Sequence, residues 1–201
     1  MMLRPVEVKS GVEETRQRIL AATRELYANK GSRGTTTREV ADRAGVNEAT
    51  LFRHFGTKQQ LLSAMLEQSS DLGEFPQTLE RIGLLPTVDA QLRELAFASI
   101  ESMKRKEDLI RISMAEELTN PEGHSCAWRA PTQARLLLVS FFEDKVAKGQ
   151  LQGNADWLAR IFMSLCFSLV MARRIWVDLD MSTAQAVPKM VETFLNGAAG
   201  R

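Results

Sequence analysis

The chain has 201 residues, enough for one or two domains with a sizeable buried core. A quarter of its residues are charged and 44% are hydrophobic, an ordinary globular balance. No apolar run approaches the roughly 18 residues that cross a bilayer, so a membrane protein is excluded as an expectation. The net charge of +1 conceals an asymmetry: residues 1–58 carry 11 Lys/Arg against 7 Asp/Glu, the remainder 15 against 18. A basic first third suits a domain that approaches phosphates while the rest stands off.

In chain order, residues 1–12 hold Pro5 and Gly11, show no periodicity and read as a flexible arm. With Arg4, Glu7 and Lys9 among them they do not read as a signal peptide. From about Glu13 to Asn29 a buried stripe of Ile19, Leu20, Thr23, Leu26 and Tyr27 predicts a helix, closed at Lys30-Gly31. Thr36 with Glu39 three residues on forms a capping box, and Val40, Ala41 and Ala44 give the helix that follows an apolar face. Gly45 supplies the open backbone of a sharp stop, Val46 a buried plug, and Asn47 the cap of a second short helix through Phe55. Two short helices about a tight turn make a helix-turn-helix. Gly56 allows the next turn, and Thr57 with Gln60 caps a fourth helix bearing Leu61, Leu62, Met65 and Leu66.

Gly73 and Pro76 mark a domain boundary near Asp71. Beyond it the pattern predicts a short helix over 77–82 and a long one from Thr87 to Lys104. Further helices follow over 109–118, 131–148, 155–177 and 183–195. No strand signal is present, so the fold class is all-α: an N-terminal helix-turn-helix domain over 13–70 and a helical domain over 71–201.

Several positions in the first quarter resemble the N-terminal DNA-binding domain of TetR-family transcriptional regulators. They are Gly31, Thr35-Thr36, Val40-Ala41, Ala44-Gly45-Val46, Phe52-Arg53-His54-Phe55 and Lys58. The likeness covers about Glu13 to Leu66 and implies a homodimer on an operator in double-stranded DNA, with a helical body that dimerises and binds an effector. Two departures stand out. The family's usual tyrosine is Phe52, which removes a phenolic phosphate bond, and its frequent glycine is Ala49, which adds a methyl facing the groove.

The second helix of such a motif enters the major groove with its N-terminal residues on base edges. Its outward residues are Asn47, Glu48, Ala49, Thr50 and Arg53, with Phe52 partly facing the core. Arg53 is the candidate for a bidentate contact to guanine, and Thr50 for a thymine methyl or a phosphate. Glu48 suits either a cytosine amino group or the plain role of a first-turn helix charge. By the resemblance, Thr36, Arg38, His54 and Lys58 grip the phosphate backbone.

The helices over 131–148 and 155–177 are apolar enough to pair with their copies, through Leu137 and Phe141 and through Ile161, Leu165, Ser168, Leu169 and Ala172. The resemblance places an effector cavity between these helices and residues 87–118. Its wall candidates are Phe97, Met103, Ile110, Met114, Trp128, Phe162, Met163, Phe167 and Met171, although a Met and Phe stripe is as readily plain core. The effector would be a small apolar or amphipathic molecule. No cofactor or metal is expected: Cys126 and Cys166 lack metal spacing and read as thiols of a reducing cytoplasm. Catalysis is not expected either, since two histidines, no HExxH and no phosphate loop leave no recognisable machinery. The leading expectation is a ligand-released dimeric repressor. The alternative is a DNA-binding regulator without a small-molecule effector, controlled by a protein partner or by abundance.

Overall fold

The computed structural model describes residues 6–68, 72–119, 129–172 and 181–197, and within them every regular element is an α-helix. In order these are α1 (Val6–Lys30), α2 (Thr37–Ala44), α3 (Glu48–Phe55), α4 (Lys58–Gln68) and α5 (Phe75–Gly83). There follow α6 (Val88–Arg105), α7 (Glu107–Thr119), α8 (Arg129–Ala147), α9 (Ala155–Met171) and α10 (Thr183–Asn196). The described residues form two compact units, one drawn from those within 1–71 and 108–129 and one from those within 72–107 and 130–201.

Three boundaries differ from expectation. α1 begins at Val6, inside the stretch expected to be a flexible arm. Gly11 lies within it, and a helical glycine costs only about 1 kcal/mol; its carbonyl also accepts from Thr15 Oγ1 at 2.8 Å. α5 takes in Pro76, which stands in its first turn, where a missing N–H costs nothing. α8 likewise holds Pro131 in its first turn. The end expected for the helix over 155–177 lies outside the described residues beyond Ala172.

The first unit is built on Ile19, Leu20, Ala22 and Tyr27 of α1, packed with Val40, Ala41 and Ala44 of α2, Leu51 and Phe55 of α3, and Leu61, Met65 and Leu66 of α4. To this core α7 adds Leu109 and Ile112. A boundary at residue 71 therefore does not gather the whole unit, because residues of α7, which begins at Glu107, pack into the same core. α7 is held there by polar bonds as well. Arg24 donates from Nε and Nη2 to the two carboxylate oxygens of Asp108 at 2.5 and 2.7 Å, and Ser32 Oγ donates to Glu116. Burial on its own would raise the Asp108 carboxyl, but the hydrogen bond and charge of Arg24 outweigh it and hold the group below its usual range.

The second unit centres on Leu92, Leu95, Ala96 and Ile100 of α6, with Leu138 and Phe142 of α8, Ala159, Phe162 and Cys166 of α9, and Val187 and Val191 of α10. Phe142, Phe162 and Phe194 form an aromatic cluster with ring centroids 5.4 to 5.9 Å apart. Two of its three pairs meet edge to face, the arrangement the ring quadrupole favours. Burial lifts the Cys166 thiol to about 12, so it stays protonated and acts as a small apolar filler.

Candidate nucleic-acid interface

The helix-turn-helix owes its shape to short-range bonds. Thr36 caps α2: its Oγ1 accepts from the Glu39 N–H at 3.2 Å, while the Thr36 N–H donates to Glu39 Oε2 at 2.8 Å. Lys30 binds the other carboxylate oxygen at 2.7 Å. The Lys30 bond, then the two from Thr36, draw the Glu39 carboxyl down from 4.5 to about 2. At the far end Gly45 adopts φ 68°, ψ 38°, a left-handed conformation that glycine takes without steric cost. Its N–H and that of Val46 close onto carbonyls of the last turn of α2. Asn47 then caps α3, its Oδ1 accepting from the Thr50 N–H at 2.7 Å. Leu51 and Phe55 lock α3 into the core, and the Arg16 guanidinium lies 4.7 Å from the Phe55 ring centre.

With Leu51 and Phe55 inward, the opposite face of α3 is fixed. Ala49, Phe52 and Arg53, spaced i, i+3 and i+4, are exposed together, and Asn47 stands beside them. Phe52 is 40% exposed, so its ring is covered only in part. One turn of helix separates Phe55 from Leu51, and Phe52 lies about 100° round from Leu51, at the edge of the buried face. Thr50 and His54 are half-buried on the flanks, the His54 ring 6.1 Å from that of Phe55. Arg38 is exposed on α2.

Two candidates have structural partners that local sequence could not reveal. Glu48 accepts from the Thr37 hydroxyl at 2.5 Å, a tie between α2 and α3 that engages one carboxylate oxygen. Lys58 donates from Nζ to the carbonyls of Ser32 and Thr35 at 2.6 and 2.5 Å, holding the loop between α1 and α2. One of its three N–H donors is left for a phosphate. Thr57 Oγ1 accepts from the Gln60 N–H at 3.1 Å as the cap of α4. The Gln60 side chain lies back over Gly56, whose φ of 73° no larger residue takes easily.

In the second unit, Phe97, Met103, Met163, Phe167 and Met171 are half-buried. Phe162 has no accessible surface at all, so it cannot border a space large enough for a water molecule and serves as core. Ile110 and Met114 lie on α7, in the first unit, because Leu109, Ile112 and Ser113 form the packed stripe and turn Met114 outward to 41% exposure. Trp128 lies outside the described residues. Of the residues expected to pair two copies, Leu137, Phe141, Ile161, Leu165, Ser168, Leu169 and Ala172 are all half-buried. Sequence reasoning missed Trp157, which is 62% exposed on α9. The spacing 157, 161, 165, 168, 172 places it on that same stripe, and this was the available signal.

The sequence pattern of the bacterial regulatory proteins of the tetR family matches residues 19–65. A Bacillus subtilis (strain 168) protein, the uncharacterized HTH-type transcriptional regulator YvkB, is 33% identical over 180 residues, which cover 89% of this chain and 92% of that protein. Among solved structures, the transcriptional regulator FadR from Bacillus subtilis, in complex with stearoyl-CoA, superposes with a TM-score of 0.73 at 15% identity, covering 91% of this chain and 99% of that one. AibR, in complex with isovaleryl coenzyme A and operator DNA, gives 0.68 at 22% identity, with 90% and 98% covered. At such identities the two structures speak for the fold alone.

Proposed function

We propose, from the premise that this chain belongs to the TetR family of bacterial regulatory proteins and is a DNA-binding transcriptional regulator, that it acts as a dimeric repressor. A palindromic operator would be its target, and a small amphipathic ligand would release it. The observation that carries the DNA-binding half is the outward face of α3, where Ala49, Phe52 and Arg53 stand exposed on a helix whose reverse is anchored by Leu51 and Phe55. A rigid helix with a free face is what a major groove admits. Around it Arg38, His54, Thr36 and the third donor of Lys58 supply phosphate contacts, which set register and affinity but not sequence.

Dimerisation follows from the reach of one such helix, which reads only a few base pairs; two at a fixed spacing read a palindrome. The stripe of Trp157, Ile161, Leu165, Ser168 and Ala172 on α9, with Leu137 and Phe141 on α8, is the surface we assign to it, and the exposure of Trp157 supports that reading. For the effector, the half-buried Phe97, Met103, Met163, Phe167 and Met171 favour an apolar tail. The acyl-CoA thioesters held by two proteins of the same fold name the class to try first. An effector acts by preferring a conformer whose recognition helices no longer match the groove spacing. The filled aromatic cluster of Phe142, Phe162 and Phe194 favours the other reading, a regulator governed by a protein partner or by abundance.

Footprinting on the DNA upstream of the protein's own gene, at two salt concentrations and with or without stearoyl-CoA or isovaleryl-CoA, separates these readings. A protected palindrome lost on adding either thioester supports the ligand-released repressor. Protection that no acyl-CoA alters moves the partner-controlled reading ahead, and binding without a protected site removes the operator assignment.

A further inference from the structure

The outward face of α3 is poorer in hydrogen-bonding groups than its sequence suggests. Glu48 has one carboxylate oxygen bound to the Thr37 hydroxyl, and Asn47 uses its side-chain oxygen to cap the helix. Among the residues of this face, Ala49 offers a methyl group, Phe52 an aromatic ring that is 40% exposed, and Arg53 a guanidinium. Ala49 and Phe52 are one turn apart on one side of the helix, so their apolar surfaces are contiguous, with Arg53 at their edge.

Only one base presents an apolar group in the major groove: thymine, through its C5-methyl. Guanine, with two acceptors, is the natural partner of an arginine fork. We propose that the Ala49–Phe52 strip selects thymine by burying its C5-methyl, so that Phe52 is a specificity-determining residue rather than a phosphate contact. Each half-site then carries one or two thymines next to the guanine that Arg53 takes. With no phenolic oxygen at position 52, the ring has no hydrogen bond to give a phosphate and is free to pack on a base edge. This inference rests on α3 being the groove-entering helix and names the base chemistry of that same site.

The test replaces thymine by deoxyuridine, one position at a time, across the footprinted half-site. The exchange removes the methyl group and leaves every hydrogen-bonding atom in place. Loss of one buried methyl is expected to weaken binding about four-fold at one or two positions per half-site. In Phe52→Ala the thymine and deoxyuridine duplexes should bind alike, whereas in Arg53→Ala the deoxyuridine penalty should persist. Phe52 stands at the edge of the core, so Phe52→Ala should lower the unfolding midpoint only slightly, and the ratio between the two duplexes is in any case independent of how much protein is folded. A flat deoxyuridine series on an operator that is still bound and protected overturns the inference alone, as does a protected half-site without thymine. Failure to bind any upstream duplex overturns the DNA-binding reading and this inference with it.

Discussion

Replacing Lys58 by alanine should destabilise the first unit before it changes anything at the DNA. The ammonium donates to two main-chain carbonyls, Ser32 O and Thr35 O, at 2.6 and 2.5 Å, and so ties the start of α4 to the loop between α1 and α2. Hydrogen bonds involving a charged group contribute roughly 1.5–3 kcal/mol each when shielded from water. Lys58 is half-buried, and water can reach part of the loop once the side chain is removed, so each bond should fall below that range to about 1 kcal/mol, and the pair together should account for about 2 kcal/mol. Urea unfolding followed by far-ultraviolet circular dichroism measures this. Amide exchange of residues 31–36 should speed up in the same variant. Operator affinity should fall equally for specific and random duplexes. A variant with unchanged stability and unchanged exchange, whose salt slope drops by about 0.9, would refute the loop-holding role and leave Lys58 a plain phosphate contact.

Other substitutions test the remaining supports. Gly45→Ala should cost about 1–2 kcal/mol, because the strain is in the left-handed backbone. An added Cβ finds room, its nearest neighbour being Arg18 Nη1 at 3.6 Å, so relaxing the packing should not recover the loss; urea midpoints of this variant and of the better tolerated Gly45→Asn check the order. The Glu39 carboxyl is more acidic folded than unfolded, so its contribution is full above the ordinary 4.5 and is lost as pH falls towards about 2. Wild type should therefore exceed Glu39→Gln in stability at pH 6, and the difference should shrink between pH 4.5 and 2 in matched unfolding titrations. Asp108→Asn should loosen α7 from α1 by about 0.5–1 kcal/mol, since both partners are a third or more exposed; a double-mutant cycle with Arg24→Met reads the coupling.

What the sequence determined by itself is whatever bonds within one helical turn. The caps of α2, α3, α4, α6 and α9 at Thr36, Asn47, Thr57, Thr87 and Asn154 each join a side-chain oxygen to an N–H three residues on, and all were readable from residue types at that spacing. The all-helical class, the left-handed glycine of the turn and the outward Ala49 and Arg53 follow from the same local rules and from period 3.6. Pro76 and Pro131 misled about helix starts because a proline that breaks an interior turn is neutral in the first one. Only tertiary structure decided the rest. Lys58 meets carbonyls 26 and 23 residues away, Thr37 meets Glu48 across the turn, and Arg24 meets Asp108 at a separation of 84. Such bonds depend on which helices come together, and sequence spacing carries no record of that. How far Phe52 is buried is decided in the same way: its ring is apolar enough for core or surface, and the packing of α3 leaves 40% of it exposed.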